Sequence, residues 1–270
     1  MRRTGLLRVA LLFALGVAFP IEAALDYMLK PRKVAADTYV FVGLAEDFTR
    51  ANGGNIVNTG FIVTADGVVV IDTGSSRLYG EQMRRAIAGV TDKPIRMVLV
   101  THHHPDHYFG NQVFGDVTVM ALPGSIGGMK QEGGAFADNL YRMAGDWMSG
   151  TEPVAARDEA KPGRMSIGGH DIELIALKGH TQADLVVFDR TSGVLFAGDL
   201  VFWQRAATTP HASVADWLAA LEQIKALKWT TLVPGHGEPH GDARGIEQTR
   251  RYLTWLDATL RKAASDGLDM

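Results

Sequence analysis

The chain contains no cysteine. That absence excludes a disulfide framework and every thiolate ligand to a metal, and it is compatible with an oxidising compartment. An excess of one charge is lacking too: 27 Lys and Arg stand against 30 Asp and Glu, a formal net charge of −3. Such a balance supplies no electrostatic footprint for nucleic acid or for an anionic membrane surface. No fixed-period repeat or low-complexity linker divides the 270 residues, so one compact domain is the simplest organisation.

Long apolar runs are missing except at the start. Met1-Arg-Arg opens a charged segment, Leu6 to Phe19 is mostly apolar with Arg8 inside it, and Pro20 precedes Ile21-Glu-Ala-Ala24. The run falls short of the ~20 apolar residues of a comfortable membrane span, and its small residues suit cleavage after Ala23 or Ala24. The expectation is a secretory signal over residues 1–23, hence a periplasmic protein, with one domain over 24–270. An uncleaved anchor is the alternative. Cleavage after Ala23 removes Arg2, Arg3, Arg8 and Glu22, moving the formal charge from −3 to −5 and leaving no stable membrane span.

What the chain does have is histidine, concentrated behind one apolar strand. Ile95 to Val100 reads as a buried strand, and Thr101-His-His-His-Pro-Asp-His107 follows it directly. A desolvated carboxylate must be paired or coordinated, which makes such a cluster awkward without a cation. Imidazole nitrogens and a carboxylate oxygen are the ligands that zinc accepts. In an extended turn His102 and His104 project together and His103 points away, whereas Asp106 and His107 begin the next helix and face a second ion.

His-x-His-x-Asp-His after an apolar strand resembles the signature of the metallo-β-lactamase superfamily. Three further motifs match it in order. Gly179-His180-Thr181 looks like the third histidine of metal site one, Ala197-Gly198-Asp199 like the bridging carboxylate, and Pro234-Gly235-His236-Gly237 like the last histidine of site two. Ile71-Asp72-Thr73-Gly74 resembles the family's Asp-x-Gly turn, which implies that Asp72 orients a ligand through a hydrogen bond. The resemblance spans roughly Ala35 to Leu260 and implies an α/β fold, the αβ/βα four-layer sandwich of two mixed sheets flanked by helices.

The implied ligand sets are His102, His104 and His180 for site one, and Asp106, His107 and His236 for site two, with Asp199 shared. The implied cofactor is a pair of zinc ions, with iron or a mixed pair as alternatives. Two divalent ions about 3.5–4 Å apart can share a water and lower its pKa from about 15.7 toward about 7, giving a nucleophile at neutral pH. The expected activity is hydrolysis of a small ester, thioester, lactone or related carbonyl substrate, with Asp106 also orienting the nucleophile or relaying a proton. Asp199 matches the glyoxalase II and lactonase pattern, because many zinc β-lactamases carry cysteine there or lack that carboxylate. Class B β-lactamase activity and a mononuclear iron persulfide dioxygenase are the competing enzyme readings. The latter keeps two His and one Asp, so a complete second site favours hydrolysis. A non-catalytic metal- or quinone-handling protein is a third reading.

Three longer runs, Glu46–Gly60, Asn139–Met148 and Thr208–Ala212, resemble the quinoprotein relay system zinc metallohydrolases of the SoxH-like type. That resemblance implies an exported companion of pyrroloquinoline-quinone-dependent oxidation, with a periplasmic quinoprotein system as partner beside a small-molecule substrate. Arg205 and His211 either meet a substrate anion or belong to a surface loop, and His103 either supports the site from behind or packs. His240 is expected in solvent, and His170 beside the Gly168-Gly169 turn. Glu46 to Gly54 reads as a flexible flap or an ordinary turn. Gly124 to Trp147 reads as a helix interrupted by Gly127, Gly128, Gly133 and Gly134, with Tyr141, Met143, Trp147 and Met148 either lining a pocket or packing. Ser213-x-x-Asp216 suggests a capping box before the helix carrying Trp217, Leu221 and Ile224. Ile246, Leu253, Leu256 and Leu260 mark a closing amphipathic helix.

Overall fold

Apolar residues on both faces of successive strands require cover on both sides, and the chain supplies it with a second sheet inside and helices outside. The computed structural model describes residues 25–268. The signal segment over 1–23 therefore lies outside the described residues. The first half runs β1 (Arg32–Lys33), β2 (Thr38–Phe41), β3 (Thr59–Thr64), β4 (Gly67–Ile71), α1 (Arg77–Ala88), β5 (Ile95–Leu99), α2 (Pro105–Tyr108), β6 (Thr118–Ala121), α3 (Pro123–Ala144) and β7 (Asp158–Glu159). The second half runs β8 (Gly163–Ile167), β9 (His170–Leu177), β10 (Asp184–Asp189), β11 (Val194–Phe202), α4 (Val214–Ala226), β12 (Thr231–His236) and α5 (Arg244–Ser265).

Strands β1 to β7 form one sheet in chain order, antiparallel up to β4 and parallel from there on. The second sheet has the order β12-β11-β10-β9-β8, with only β11 and β12 parallel. Both sheets are mixed and helices flank them, as expected for the four-layer sandwich. No helix among the described residues is long and apolar enough to cross a membrane.

Strand β4 shows how the period of two builds the layers. Val68 and Val70 join Tyr79, Met83 and Ile87 of α1, while Val69 and Ile71 turn inward to meet Leu185, Val187 and Phe196 of the other sheet. On the far side Trp217, Leu221 and Ile224 of α4 and Ile246 and Leu253 of α5 cover Val186, Phe188 and Leu195. Each such fully buried side chain contributes about 1.5–3 kcal/mol relative to exposure. The parallel strands β4, β5, β11 and β12 end at one edge of the sandwich, and the histidine tract emerges there.

Several local expectations need correction. Helix α3 is continuous from Pro123 to Ala144 despite its glycines. A Cβ on Gly128 would lie 2.6 Å from the His103 ring, and one on Gly133 would lie 2.9 Å from the Tyr108 hydroxyl. These glycines let the helix approach the first half of the chain closely, whereas Gly127 and Gly134 face open space. At α4, Ser213 occupies the N-cap position but its side chain makes no capping hydrogen bond. By contrast, Ser76 caps α1 by accepting from the Tyr79 backbone N–H at 3.0 Å. In α5 the apolar stripe is buried only through Leu253, and Leu260 is exposed.

Candidate metal centre

Each histidine of the expected clusters sits where a strand has just ended. β5 stops at Leu99, and His102 follows it, buried. His104 takes the extended N-cap position of α2, with Pro105 pre-set for the first helical position. The single helical turn that follows brings Asp106 and His107 inward, both buried. His180 lies in the turn between β9 and β10, where Gly179 packs so closely on α4 that a Cβ would be 2.6 Å from the Trp217 backbone. Asp199 lies on β11 at a register shift against β12, and His236 ends β12. Gly235 leaves the room that Asp199 fills, since a Cβ there would be 1.9 Å from its Oδ1.

Two groups hold the expected ligands and one carboxylate touches both, while His103, His104 and His211 make a third group of converging imidazoles. His104 Nδ1 and His180 Nε2 are 2.8 Å apart, and Asp199 Oδ2 lies 3.3 Å from His180 Nε2 and 3.9 Å from His102 Nε2. The second group has His236 Nε2 3.4 Å and His107 Nε2 3.8 Å from Asp106 Oδ2. Asp199 reaches this group as well, at 3.3 Å from His236 Nε2 through Oδ2 and 3.1 Å from His107 Nε2 through Oδ1. All the expected ligand residues are thus brought together in the predicted partition, with His102, His104, His180 and Asp199 in one group and Asp106, His107 and His236 in the other.

A direct test of fit comes from polar atoms without partners. His102 Nε2, His107 Nε2 and Asp199 Oδ1 are buried and make no hydrogen bond. Orphaned buried groups of this kind are costly unless a further partner satisfies them. Tetrahedral ligands about 2.0–2.1 Å from a zinc ion stand about 3.3 Å apart, within the spread of spacings seen here. The donor set and its spacing fit a pair of divalent cations.

The nitrogens that face away from the groups are mostly tied down. His107 Nδ1 donates to Asp72 Oδ2 at 2.8 Å, and Asp72 also accepts from the Thr101 backbone N–H and hydroxyl at 2.7 and 2.9 Å. His236 Nδ1 donates to the Ile56 carbonyl at 2.7 Å. The Thr101 hydroxyl is also 3.1 Å from His102 Nδ1. Asn58 holds the turn that carries His236, donating to the Pro234 and Gly237 carbonyls at 2.8 and 2.6 Å. His236 stacks on Phe202, and His180 meets Trp217 edge-on, each at 5.0 Å.

Burial pushes the His102 and His104 imidazoles well below their ordinary value, with neighbouring imidazoles adding to the effect. Burial likewise pushes His180 down to about 3, against the Asp199 charge. His107 also loses hydration, yet the carboxylates of Asp199, Asp106 and Asp72 together raise it well above that value. Burial works against the Asp199 charge, but His236, His107 and His180 hold it well below the usual carboxylate range. For Asp72 burial wins and its carboxyl is raised, despite His107 and Thr101. Neutral imidazoles at His102, His104 and His180 and an ionised Asp199 are the protonation states a divalent ion takes as ligands, whereas the proton that the carboxylates hold on His107 is one that a bound ion would displace.

A cavity of about 160 Å³ opens beside these groups, lined by Phe48, Ile56, Asp106, Phe136, Met143 and Arg205 among others. Arg205 is held at its rim, donating to the Glu46 carbonyl at 2.8 Å. The Glu46–Gly54 segment is braced by Asn52, whose side-chain Oδ1 accepts from the Thr49 and Gly54 N–H groups at 3.0 and 2.9 Å. Of the residues considered for a pocket lining, Met143 lies here, Tyr141 and Trp147 line a separate surface hollow, and Met148 is buried in the core. His211 does not stand free: its Nδ1 is 2.9 Å from His104 Nε2 and its Nε2 is 2.9 Å from Glu132. His103 turns away from both groups, with Nε2 3.4 Å from Glu132.

One other histidine differs from its expected surroundings, and another does not. His240, expected in solvent, is buried and lies 2.8 Å from the Glu238 carbonyl, within the bridge that its backbone makes to Leu232. His170 does lie beside its turn but is buried against Asp189 at 2.8 Å. Sequence reasoning assigned no role to Thr101, Asn58, Phe136 or Glu132. Only Thr101 carried a signal, by its position between the strand and the histidines.

Comparison with known proteins agrees with this arrangement. Residues 52–236 match the family described as the Metallo-beta-lactamase superfamily. A Caenorhabditis elegans protein named beta-lactamase-like protein 2 homolog is 25% identical over 186 residues, which cover 67% of this chain and 55% of that protein. The chain therefore spans about half the length of that relative. The Bos taurus acyl-coenzyme A thioesterase MBLAC2 is 24% identical over 232 residues, covering 74% of this chain and 80% of that protein. Among solved structures, the metallo-beta-lactamase IND-7 superposes with a TM-score of 0.68 at 22% identity, covering 85% of this chain and 100% of that one. With the family matched across most of its length, a four-layer sandwich and two His/Asp groups at the strand ends, this chain belongs to the metallo-beta-lactamase superfamily.

Proposed function

We propose that this protein is a metal-dependent hydrolase that holds two divalent ions, zinc in the first instance, and acts on a small ester, thioester, lactone or related carbonyl substrate. The observation that carries the reading is the position of Asp199, within 3.3 Å of both His180 and His236. One carboxylate between two imidazole groups is what a shared ligand requires, and family membership supports hydrolysis as the outcome. His102, His104 and His180 hold site one, and Asp106, His107 and His236 hold site two, with Asp199 between them. Ions bound there supply Lewis-acid polarisation of the scissile carbonyl and a water acidic enough to react at neutral pH.

The protein's own residues do the rest. Asp106 lines the cavity and is placed to orient a reacting water or to accept its proton. Asp72, Thr101 and the Ile56 carbonyl fix imidazole rings from behind, so that their other nitrogens keep one direction. Phe48, Ile56, Phe136 and Met143 offer an apolar wall to an acyl or ring portion, and Arg205 at the rim offers positive charge to an anionic one. A cavity of about 160 Å³ suits a small acyl group. A thioesterase among the relatives supports thioesters as the first substrates to try.

Export to the periplasm and association with a quinoprotein oxidation system belong to the same proposal, resting on the N-terminal segment and on the runs Glu46–Gly60, Asn139–Met148 and Thr208–Ala212. Sequencing the N-terminus of the protein recovered from its native host tests export. A start near residue 24 in a periplasmic fraction supports it, and a start at Met1 in the cytoplasm contradicts it. The activity test is kcat/KM for a thioester, a lactone, a carboxylic ester, a penicillin and a carbapenem, alongside oxygen uptake with a persulfide. Turnover of the first group with bound zinc supports the proposal. Turnover of the β-lactams alone, or oxygen uptake with one bound iron, contradicts it.

A further inference from the structure

One face of α3 is aimed at the histidine tract, and none of the roles above uses its charged residue. Gly128, Glu132, Phe136 and Leu140 follow one another at intervals of four and so share a helix face. Gly128 is close under the His103 ring, Phe136 meets the His104 and His211 rings edge-on at 6.1 and 6.4 Å, and Leu140 is buried in the core. Glu132 stands between these contacts, with one carboxylate oxygen 2.9 Å from His211 Nε2 and the other 3.4 Å from His103 Nε2. His211 in turn reaches His104 Nε2 at 2.9 Å through its Nδ1. Glu132, His211 and His104 therefore form a continuous chain from the rim of the cleft into site one.

We propose that His211 and Glu132 are positioning residues that act in series to fix the ring and tautomer of His104. The inference rests on the reading of His104 as a ligand through Nδ1, the atom that faces His180. With Nδ1 committed, the proton of that ring sits on Nε2 and is donated to His211 Nδ1. The proton of His211 is then on Nε2 and is donated to the Glu132 carboxylate. Each bond dictates the next, and the last is charge-assisted. Asp72 serves His107 directly, and the Ile56 carbonyl serves His236 directly, whereas His104 is served through an intervening imidazole. That extra link ties the metal site to α3, the helix that also supplies Phe136 and Met143 to the cavity wall. His211 is consequently a support of the site and not a residue awaiting a substrate anion.

The test compares the parent with His211→Ala, Glu132→Ala, the double variant and His211→Gln, using zinc affinity in competition with a chelator and the visible spectrum of the cobalt-substituted protein. Thermal unfolding of the metal-free forms checks that each variant is folded. Losing a ligand-orienting partner typically costs about 10–100-fold in metal affinity, so His211→Ala is expected to weaken one of the two ions by that factor and to shift the cobalt spectrum. In a series arrangement the double variant binds no more weakly than His211→Ala alone. His211→Gln keeps an acceptor toward His104 and a donor toward Glu132, and restores binding to within a few-fold of the parent. Variants that bind zinc as the parent does, losses that multiply in the double variant, or release of a third ion overturn the inference. A folded parent that binds no divalent ion instead overturns the proposed function beneath it.

Discussion

Asp72 and His107 lie 2.8 Å apart, Oδ2 to Nδ1, across the ends of two neighbouring strands. Asp72 has φ of 56°, a left-handed backbone that Asp tolerates better than most residues. Its N–H donates to the Leu99 carbonyl, and its other oxygen accepts from Thr101. One residue thereby locks the end of β4 to the start of the histidine tract and sets the direction of the His107 ring. Asp72→Ala is expected to lower metal affinity by about 10–100-fold, and Asp72→Asn by a comparable factor because its one amide oxygen cannot accept from both His107 Nδ1 and the Thr101 N–H, as the two Asp72 oxygens do. Chelator competition on the purified variants checks this, and affinities equal to the parent's contradict it.

Close approach of backbone to a functional group makes a sharper prediction at Gly235. A methyl group there would lie 1.9 Å from Asp199 Oδ1 and 2.9 Å from the Asp199 backbone nitrogen. Gly235→Ala should displace Asp199 and empty the centre while leaving the far sheet intact. The contrast is Gly134→Ala on α3, where nothing lies within 4 Å. That change should stabilise the protein by about 0.4–1 kcal/mol through the entropy of the unfolded chain. Metal analysis and denaturant unfolding of the pair distinguish a packed glycine from a free one.

Asn58, which immediately precedes β3 in the same sheet as Asp72, plays the corresponding part for the His236 turn of the other sheet. It is buried, accepts from the Gly43 N–H at 3.0 Å and donates to two carbonyls of the His236 turn. Asn58→Ala leaves those groups without partners, each at a cost of about 1–3 kcal/mol. The expectation is a loss of stability of at least that size, with weaker metal binding through His236. Urea unfolding with and without zinc measures both, and an unchanged midpoint in both conditions would show that the turn holds itself.

The strands were legible in the sequence because each rests on a short-range pattern, and the grouping of the seven His and Asp residues because four motifs in order resemble those of the superfamily. Period-two apolar residues give the strands, and the histidine tract directly follows one of them. What was not legible depends on partners distant in the chain. The glycines of α3 read as breaks because nothing local indicates that Gly128 fits beneath His103 or Gly133 beside Tyr108. His240 read as exposed because its pairing with Leu232 is tertiary. His211 read as either a substrate contact or part of a surface loop, and nothing local pointed to Glu132, which lies 79 positions earlier and is brought to it by the path of α3. The edge strands β1 and β7, two residues each, carry too little pattern to be seen in advance.

The central claim is that two ions share Asp199, and the number of divalent ions per chain tests it most directly. Metal analysis should be made on the parent and on Asp199→Ala, His180→Ala, His236→Ala and His103→Ala, each checked for folding. The expected result is two ions in the parent, with His180→Ala losing chiefly the site-one ion and His236→Ala chiefly the site-two ion. Asp199→Ala should weaken both, since the same carboxylate stands 3.3 Å from His180 and from His236, whereas His103→Ala should keep both. Two ions and full activity in Asp199→Ala, together with loss of metal in His103→Ala, would contradict the account.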